Sequence, residues 1–141
     1  MAASDLREVV VGGELPAVDM PITRGDLVNY AGAAGDPNPI HYSDHIAALA
    51  GLPGVVAHGM LTMGLGAGFV TDWAGDPGRV VSYNVRFTSM VVVPADRPAV
   101  VTFSGKVKSI DEETRVATIA ITATSDGKRI FGRATAGVRL P

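Results

Sequence analysis

The chain has 141 residues, enough for one domain with a real hydrophobic core and too few for two independent ones. With 47% hydrophobic and 18% charged residues the composition is globular, and a net charge of -2 leaves no electrostatic footprint for nucleic acid. The lack of cysteine excludes disulfides, thiolate metal sites and a cysteine nucleophile, and is compatible with a cytoplasmic location.

In chain order, the opening MAASDLREVV carries Asp5 and Glu8 and has no apolar core ahead of a cleavage site, so it does not read as a secretory signal. Residues 9–11 and 18–22 are expected as short extended pieces around Gly12-Gly13-Glu14. Thr23 reads as a helix N-cap with Asp26 three residues on, an acidic form of the capping box. Leu27, Val28, Tyr30 and Ala31 supply the apolar face, and Gly35 is suited to end the helix. In Gly35-Asp36-Pro37-Asn38-Pro39-Ile40-His41, two prolines in three residues forbid a helix and predict a stiff, extended turn. Ser43 is placed to cap a short helix over residues 44–50, stopped by Gly51.

Residues 46–71 contain no charged side chain apart from His58, which raises the question of a membrane span. Gly51, Pro53 and Gly54 interrupt the stretch, and the piece after His58 is shorter than the ~20 residues a bilayer requires, so no span is expected. Residues 59–73, with Gly59 at the start and Trp73 at the end, predict a long helix instead. Met60, Leu61, Met63, Leu65, Phe69 and Val70 leave it little polar face, so burial on most sides is expected. Gly64, Gly66 and Gly68 are tolerable there if a neighbour packs closely. They sit within a helix, not between a strand and a helix, which argues against a dinucleotide loop.

The second half alternates with period two. Val81, Tyr83, Val85 and Phe87 form one row; Val101, Phe103 and Val107 a second; Ala117, Ile119, Ile121 and Ala123 a third. Asp126-Gly127 is a strong hairpin signal, and residues 130–140 complete a last strand. The fold class is therefore α+β, an antiparallel sheet wrapped on one long apolar helix.

The run Tyr30…Gly35-Asp36-Pro37-Asn38-Pro39-Ile40-His41…Ala47 resembles the hydratase-2 signature of the MaoC-like (R)-specific enoyl hydratases and dehydratases. His58-Gly59-Met60 and Tyr83-Asn84-Val85-Arg86-Phe87 are similar to further landmarks of that family. AHGMLTMGLGAGFVTDWAGDPG and YNVRFT bring it nearest to HadB-type (3R)-hydroxyacyl-ACP dehydratase subunits, of a fatty-acid synthase that elongates mycolic-acid precursors. The resemblance implies one hot-dog domain over residues 1–141. It also implies reversible dehydration of (3R)-hydroxyacyl thioesters, carried on acyl carrier protein or CoA, to trans-2-enoyl thioesters. By carry-over, Asp36 and His41 form the catalytic pair and Asn38 supports them by orienting His41 or the water. The backbone N–H of Gly59 stabilises the enolate oxygen, while Tyr30, His58 and Met60 line the substrate pocket. No cofactor is implied, and the partner is a second hot-dog subunit, either identical or non-catalytic.

Those assignments suit the chemistry. Dehydration needs a base for the proton next to the carbonyl, an acid for the departing hydroxyl and a fixed donor for the enolate. Which proton Asp36 and His41 each carry stays open. Other readings are an (R)-enoyl-CoA hydratase of fatty-acid oxidation or polyester supply, a hot-dog thioesterase, and a non-catalytic partner subunit or acyl-chain binder. His41 and His45 are spaced like a zinc pair, with Asp44 and His58 as further candidates. Pro39 keeps His41 off a helix and the glutamate of the zinc-protease pattern is missing, so no metal is expected. Lys106, Lys108, Lys128, Arg129 and Arg133 read as a solvated strand face, with docking of an acidic carrier protein as the sharper alternative.

Overall fold

A computed structural model describes residues 5–141; residues 1–4, which begin the stretch read above as lacking a secretory signal, lie outside the described residues. Among the described residues there are three α-helices, α1 (Arg24–Ala34), α2 (Asp44–Leu49) and α3 (Gly59–Ala74). Its strands are β1 (Glu14–Ile22), β2 (Val80–Phe87), β3 (Ala99–Asp111), β4 (Val116–Ser125), the two-residue β5 (Lys128–Arg129) and β6 (Phe131–Arg139). The sheet is antiparallel, in the order β1-β3-β4-β6-β2, with β5 paired to β4. This is the α+β arrangement expected, with α3 against the sheet.

The most deeply buried row of the sheet is the one with the cleanest alternation. Ala117, Ile119, Ile121 and Ala123 are all at most 2% exposed on β4, between β3 and β6. Asp126 and Gly127 both take positive φ, as a tight hairpin turn demands. The row on β2 is half-finished. Tyr83 and Val85 are partly buried, whereas Val81 and Phe87 at its ends are 45% and 43% exposed.

Several local expectations are corrected. Residues 9–11 form no strand: they run into a turn, where Gly12 donates to the Val107 carbonyl and Val107 donates back to Gly13. β1 instead starts at Glu14 and absorbs Pro16, with a register shift between Leu15 and Val18 where the proline has no N–H to offer. Helix α2 ends at Leu49 with Ala50 as its cap, and α3 runs one residue past Trp73.

Helix α3 is not buried on most sides within the chain. Thr62, Gly66, Phe69, Val70, Trp73 and Ala74 are buried, while Met60 is 61% exposed. One face of an apolar helix is therefore uncovered. Of its three mid-helix glycines only Gly66 is packed, since a Cβ there would lie 2.5 Å from the Tyr83 hydroxyl and 3.2 Å from the Phe103 and Phe131 rings. A Cβ at Gly64 or Gly68 would meet nothing within 4 Å beyond the adjoining helix backbone, among the described residues. Among the described residues, no helix is long and apolar enough to cross a membrane.

Candidate active site

Helix α1 delivers the chain to the site in a fixed direction. Thr23 Oγ1 accepts from the Asp26 N–H and the Asp26 carboxylate accepts from the Thr23 N–H, so the anticipated capping box is closed. At the other end Gly35 is left-handed, and both it and Asp36 donate to the Ala31 carbonyl. The next residues are bent by two consecutive Asx turns. Asp36 Oδ1 accepts from the Asn38 N–H at 3.3 Å, and Asn38 Oδ1 accepts from the Ile40 N–H at 3.2 Å.

The prolines do not hold the whole motif extended. Pro39–His41 is a single 3-10 turn, with Asn38 as its N-cap and Pro39 at its first position, where the missing N–H costs nothing. Asn38 thus makes its side-chain bond to the backbone that carries His41, and not to the His41 ring. Its position is exposed.

His41 and Asp36 come together from opposite environments. His41 is 8% exposed; the Asp36 side chain is 53% exposed. His41 Nε2 lies 3.9 Å from Asp36 Oδ2, too far for a direct hydrogen bond. The other ring nitrogen, Nδ1, is 2.7 Å from the Val56 carbonyl oxygen. A carbonyl only accepts, so Nδ1 carries the proton and Nε2 presents a lone pair toward the carboxylate.

The Val56 carbonyl was not foreseen from sequence. It is held by a short ladder in which Ala57 donates to Val91 and Val93 donates to Val55, both at 2.8 Å. Val55, Val56, Val91 and Val93 are at most 3% exposed. The β-branched pair Val55-Val56 and the run Val91-Val92-Val93 were the available signal, since such residues favour paired extended backbone.

His58 immediately precedes α3 and is 2% exposed. Its ring stacks on that of His41, with centroids 3.6 Å apart, and meets the edge of Tyr30 at 4.8 Å. Its Nε2 lies 3.2 Å from the backbone carbonyl of Asp36. Gly59 is the first residue of α3, so its N–H has no acceptor within the helix and sits at the positive end of the helix dipole. A side chain there would touch Phe87, whose ring is 3.5 Å from the place of a Cβ.

Asp36, His41, His58 and Tyr30 are therefore contiguous, with Gly59 next in sequence to His58. Met60, next along α3, is 61% exposed. A groove of about 370 Å³ opens beside Tyr30, lined by Ile22, Ala33, Leu61 and Leu65 among others. His45 is exposed on α2, and Asp44 is engaged by Arg24 at 2.8 Å, so the sequence-level zinc grouping is not assembled.

A different trio, Asp36, His41 and His58, offers potential ligand atoms within 4.8 Å of one another. The two imidazoles lie face to face, so their in-plane lone pairs run side by side and do not converge on one ion. His41 Nδ1 and His58 Nε2 are also committed to carbonyls.

Comparison with known proteins gives the geometry a context. The MaoC like domain model matches residues 9–125, a span that holds every residue of the cluster. A solved structure described as a MaoC-like dehydratase superposes with a TM-score of 0.95 at 53% identity, over 99% of this chain and 43% of that one. The (R)-specific enoyl-CoA hydratase of Rhodospirillum rubrum is 28% identical over 141 residues, 96% of this chain and 95% of that protein. The HadBC (3R-hydroxyacyl-ACP dehydratase) complex of Mycobacterium tuberculosis shares the hot-dog fold, at 18% identity and a TM-score of 0.71, over 92% of this chain and 96% of that one. The chain spans 28% or less of the length of three further curated relatives that it matches.

Proposed function

The chain belongs to the MaoC-like domain family, and on that premise we propose that it interconverts (3R)-hydroxyacyl and trans-2-enoyl thioesters by removing and adding water. The observation that carries this reading is the Asp36–His41 couple: an imidazole whose free Nε2 faces a solvent-accessible carboxylate at 3.9 Å. That separation suits one oxygen atom, of a substrate hydroxyl or of the water it becomes, in contact with both groups.

In the dehydration direction, Nε2 of His41 takes the proton from the carbon next to the thioester carbonyl. The carbon–oxygen bond to the hydroxyl breaks and the double bond forms. The departing hydroxyl leaves as water with a proton returned from within the couple. Meanwhile the N–H of Gly59 takes up the negative charge on the carbonyl oxygen. The fixed tautomer of His41 is what makes its Nε2 available at each turnover. The groove beside Tyr30 is apolar along Ile22, Leu61 and Leu65, which suits a hydrocarbon chain.

Residues 1–141 act in this reading as one MaoC-like hot-dog unit in the cytoplasm, taking its acyl group from carrier protein or CoA. A second hot-dog subunit, identical or non-catalytic, covers the free edge of β2 and the exposed Met60, Val81 and Phe87. The test is a hydration assay on enoyl-CoA and enoyl-carrier substrates of graded length, with chiral analysis of the product. The expected result is an (R)-3-hydroxyacyl thioester with no free thiol released. Thiol release without hydration overturns the proposal in favour of a thioesterase.

A further inference from the structure

We propose that His58 is a positioning residue that locks Asp36 and His41 into one geometry, through a hydrogen bond to the Asp36 backbone and a ring stack on His41. The inference rests on the hydratase reading above and assigns a role to a residue expected only as pocket wall.

The first support is that His58 is a poor choice for what its place in the chain requires. It occupies the N-cap of α3, where Ser, Thr, Asp or Asn would bond a free helix N–H, and its side chain makes no such bond. It is 2% exposed, and its Nδ1 is buried with no hydrogen-bond partner among the described residues. Capping therefore does not account for the imidazole at this position.

The second support is what the ring touches. The Asp36 carbonyl can only accept, so His58 Nε2 carries the proton and donates across 3.2 Å. That bond and the Ala31 carbonyl, which takes the Asp36 N–H, grip both backbone polar groups of Asp36. The carboxyl itself is 53% exposed and, among the described residues, receives only the Asn38 N–H, so its placement depends on that backbone. His58 also stacks on His41 at 3.6 Å with the planes inclined by 22°. His41 is thus held at Nδ1 by Val56 and covered on a ring face by His58. Tyr30 also meets the His58 ring, with centroids 4.8 Å apart and the planes inclined by 62°. The ionisable groups facing His58 are thus Asp36, His41 and Tyr30, and the tie from the N-terminus of α3 to the Asp36–His41 turn passes through it.

The experiment compares His58→Leu with His58→Gln in the full chain, as purified in the assembly that hydrates enoyl thioester. Misplacing a catalytic group by ~1 Å costs about 100-fold in rate, so His58→Leu is expected to lower kcat by about that factor with KM within about threefold. Glutamine keeps a donor for the Asp36 carbonyl but no ring, and is expected to regain about tenfold of the loss. A kcat for His58→Leu within a few-fold of wild type, a change confined to KM, or a glutamine variant no better than leucine overturns the proposal.

Imidazole 15N–1H correlation spectra of the wild-type chain give a readout free of turnover and of variant folding. His58 is expected as the Nε2–H tautomer and His41 as the Nδ1–H tautomer. An Nδ1-protonated His58 overturns the link to Asp36 whatever the variants do. If the wild-type chain hydrates no enoyl thioester, the hydratase reading fails, while the tautomer still decides whether His58 holds Asp36.

Discussion

Asp36→Asn is the substitution that separates chemistry from architecture most cleanly. The Asp36 side chain accepts one backbone hydrogen bond, from Asn38 at 3.3 Å, and an asparagine oxygen accepts the same bond. Its approach to His41 at 3.9 Å is too long for a hydrogen bond and solvent-accessible, so little stability is lost there. The cost in stability is therefore about 0.5 kcal/mol or less, a shift of about 2 °C in Tm. The carboxyl's part in proton transfer is lost outright. General acid–base groups contribute about 100- to 10,000-fold, which corresponds to ~3 to 5 kcal/mol of transition-state stabilisation. Hydration is followed by the loss of the ultraviolet absorbance of the conjugated enoyl thioester, with circular dichroism and thermal melts as the control for fold. The expected pattern is a fall in kcat within that range, a small change in KM and an unchanged melt. A variant that folds normally and keeps activity within a few-fold of wild type would refute the assignment of Asp36 to the reaction.

Gly66→Ala puts a methyl group 2.5 Å from the Tyr83 hydroxyl and is expected to destabilise by about 1–3 kcal/mol in urea unfolding. Gly64→Ala on the same helix meets nothing within 4 Å and is expected to stabilise a separated protomer by about 0.5–1 kcal/mol; a loss measured only in the assembled protein would place a partner on that face. Tyr83 donates to the Met63 carbonyl at 2.7 Å, and burial pushes its phenol up to about 12. The folded state then holds a proton that the unfolded chain releases near pH 10, so stability is full below about pH 10 and falls as pH rises toward 12. Tyr83→Phe should lose about 1 kcal/mol at neutral pH and flatten that alkaline fall in equilibrium unfolding. Thr23→Ala opens the capping box of α1 and should cost about 1 kcal/mol in the same measurement at pH 7. The Thr23 N–H and hydroxyl hold the Asp26 carboxyl below its ordinary 3.8, so that contribution is present above this value and lost as pH falls through the lowered one. The gap between Thr23→Ala and wild type is accordingly expected to narrow below about pH 4.

What could be read from the sequence follows from what side chains report. Period-two alternation tells which face of a strand is inward, and it located Ala117, Ile119, Ile121 and Ala123 because both neighbours of β4 are antiparallel strands of the same sheet. It does not name the neighbour. That β2 lies against β6, at the far edge from β1, is a pairing between segments about fifty residues apart, and nothing local encodes it. The cap at Thr23 and the turn at Gly35 were legible because the side chain and the backbone it serves are within five residues.

The same distinction divides the site. Asp36 and His41 stand five residues apart on one turn, so their meeting was legible, although the turn is 3-10 and not extended. The groups that hold them were hidden for two physical reasons. The acceptor for His41 Nδ1 is a backbone carbonyl, and a carbonyl has no signature in a sequence; only the valine ladder that fixes it could have hinted at its place. The ring that stacks on His41 belongs to a residue whose neighbours suggest a helix start, and its contact runs across the fold, not along it. A side chain that acts through another one is visible only when both are in place. This is why His58, expected only as pocket wall, is the residue for which the coordinates add most.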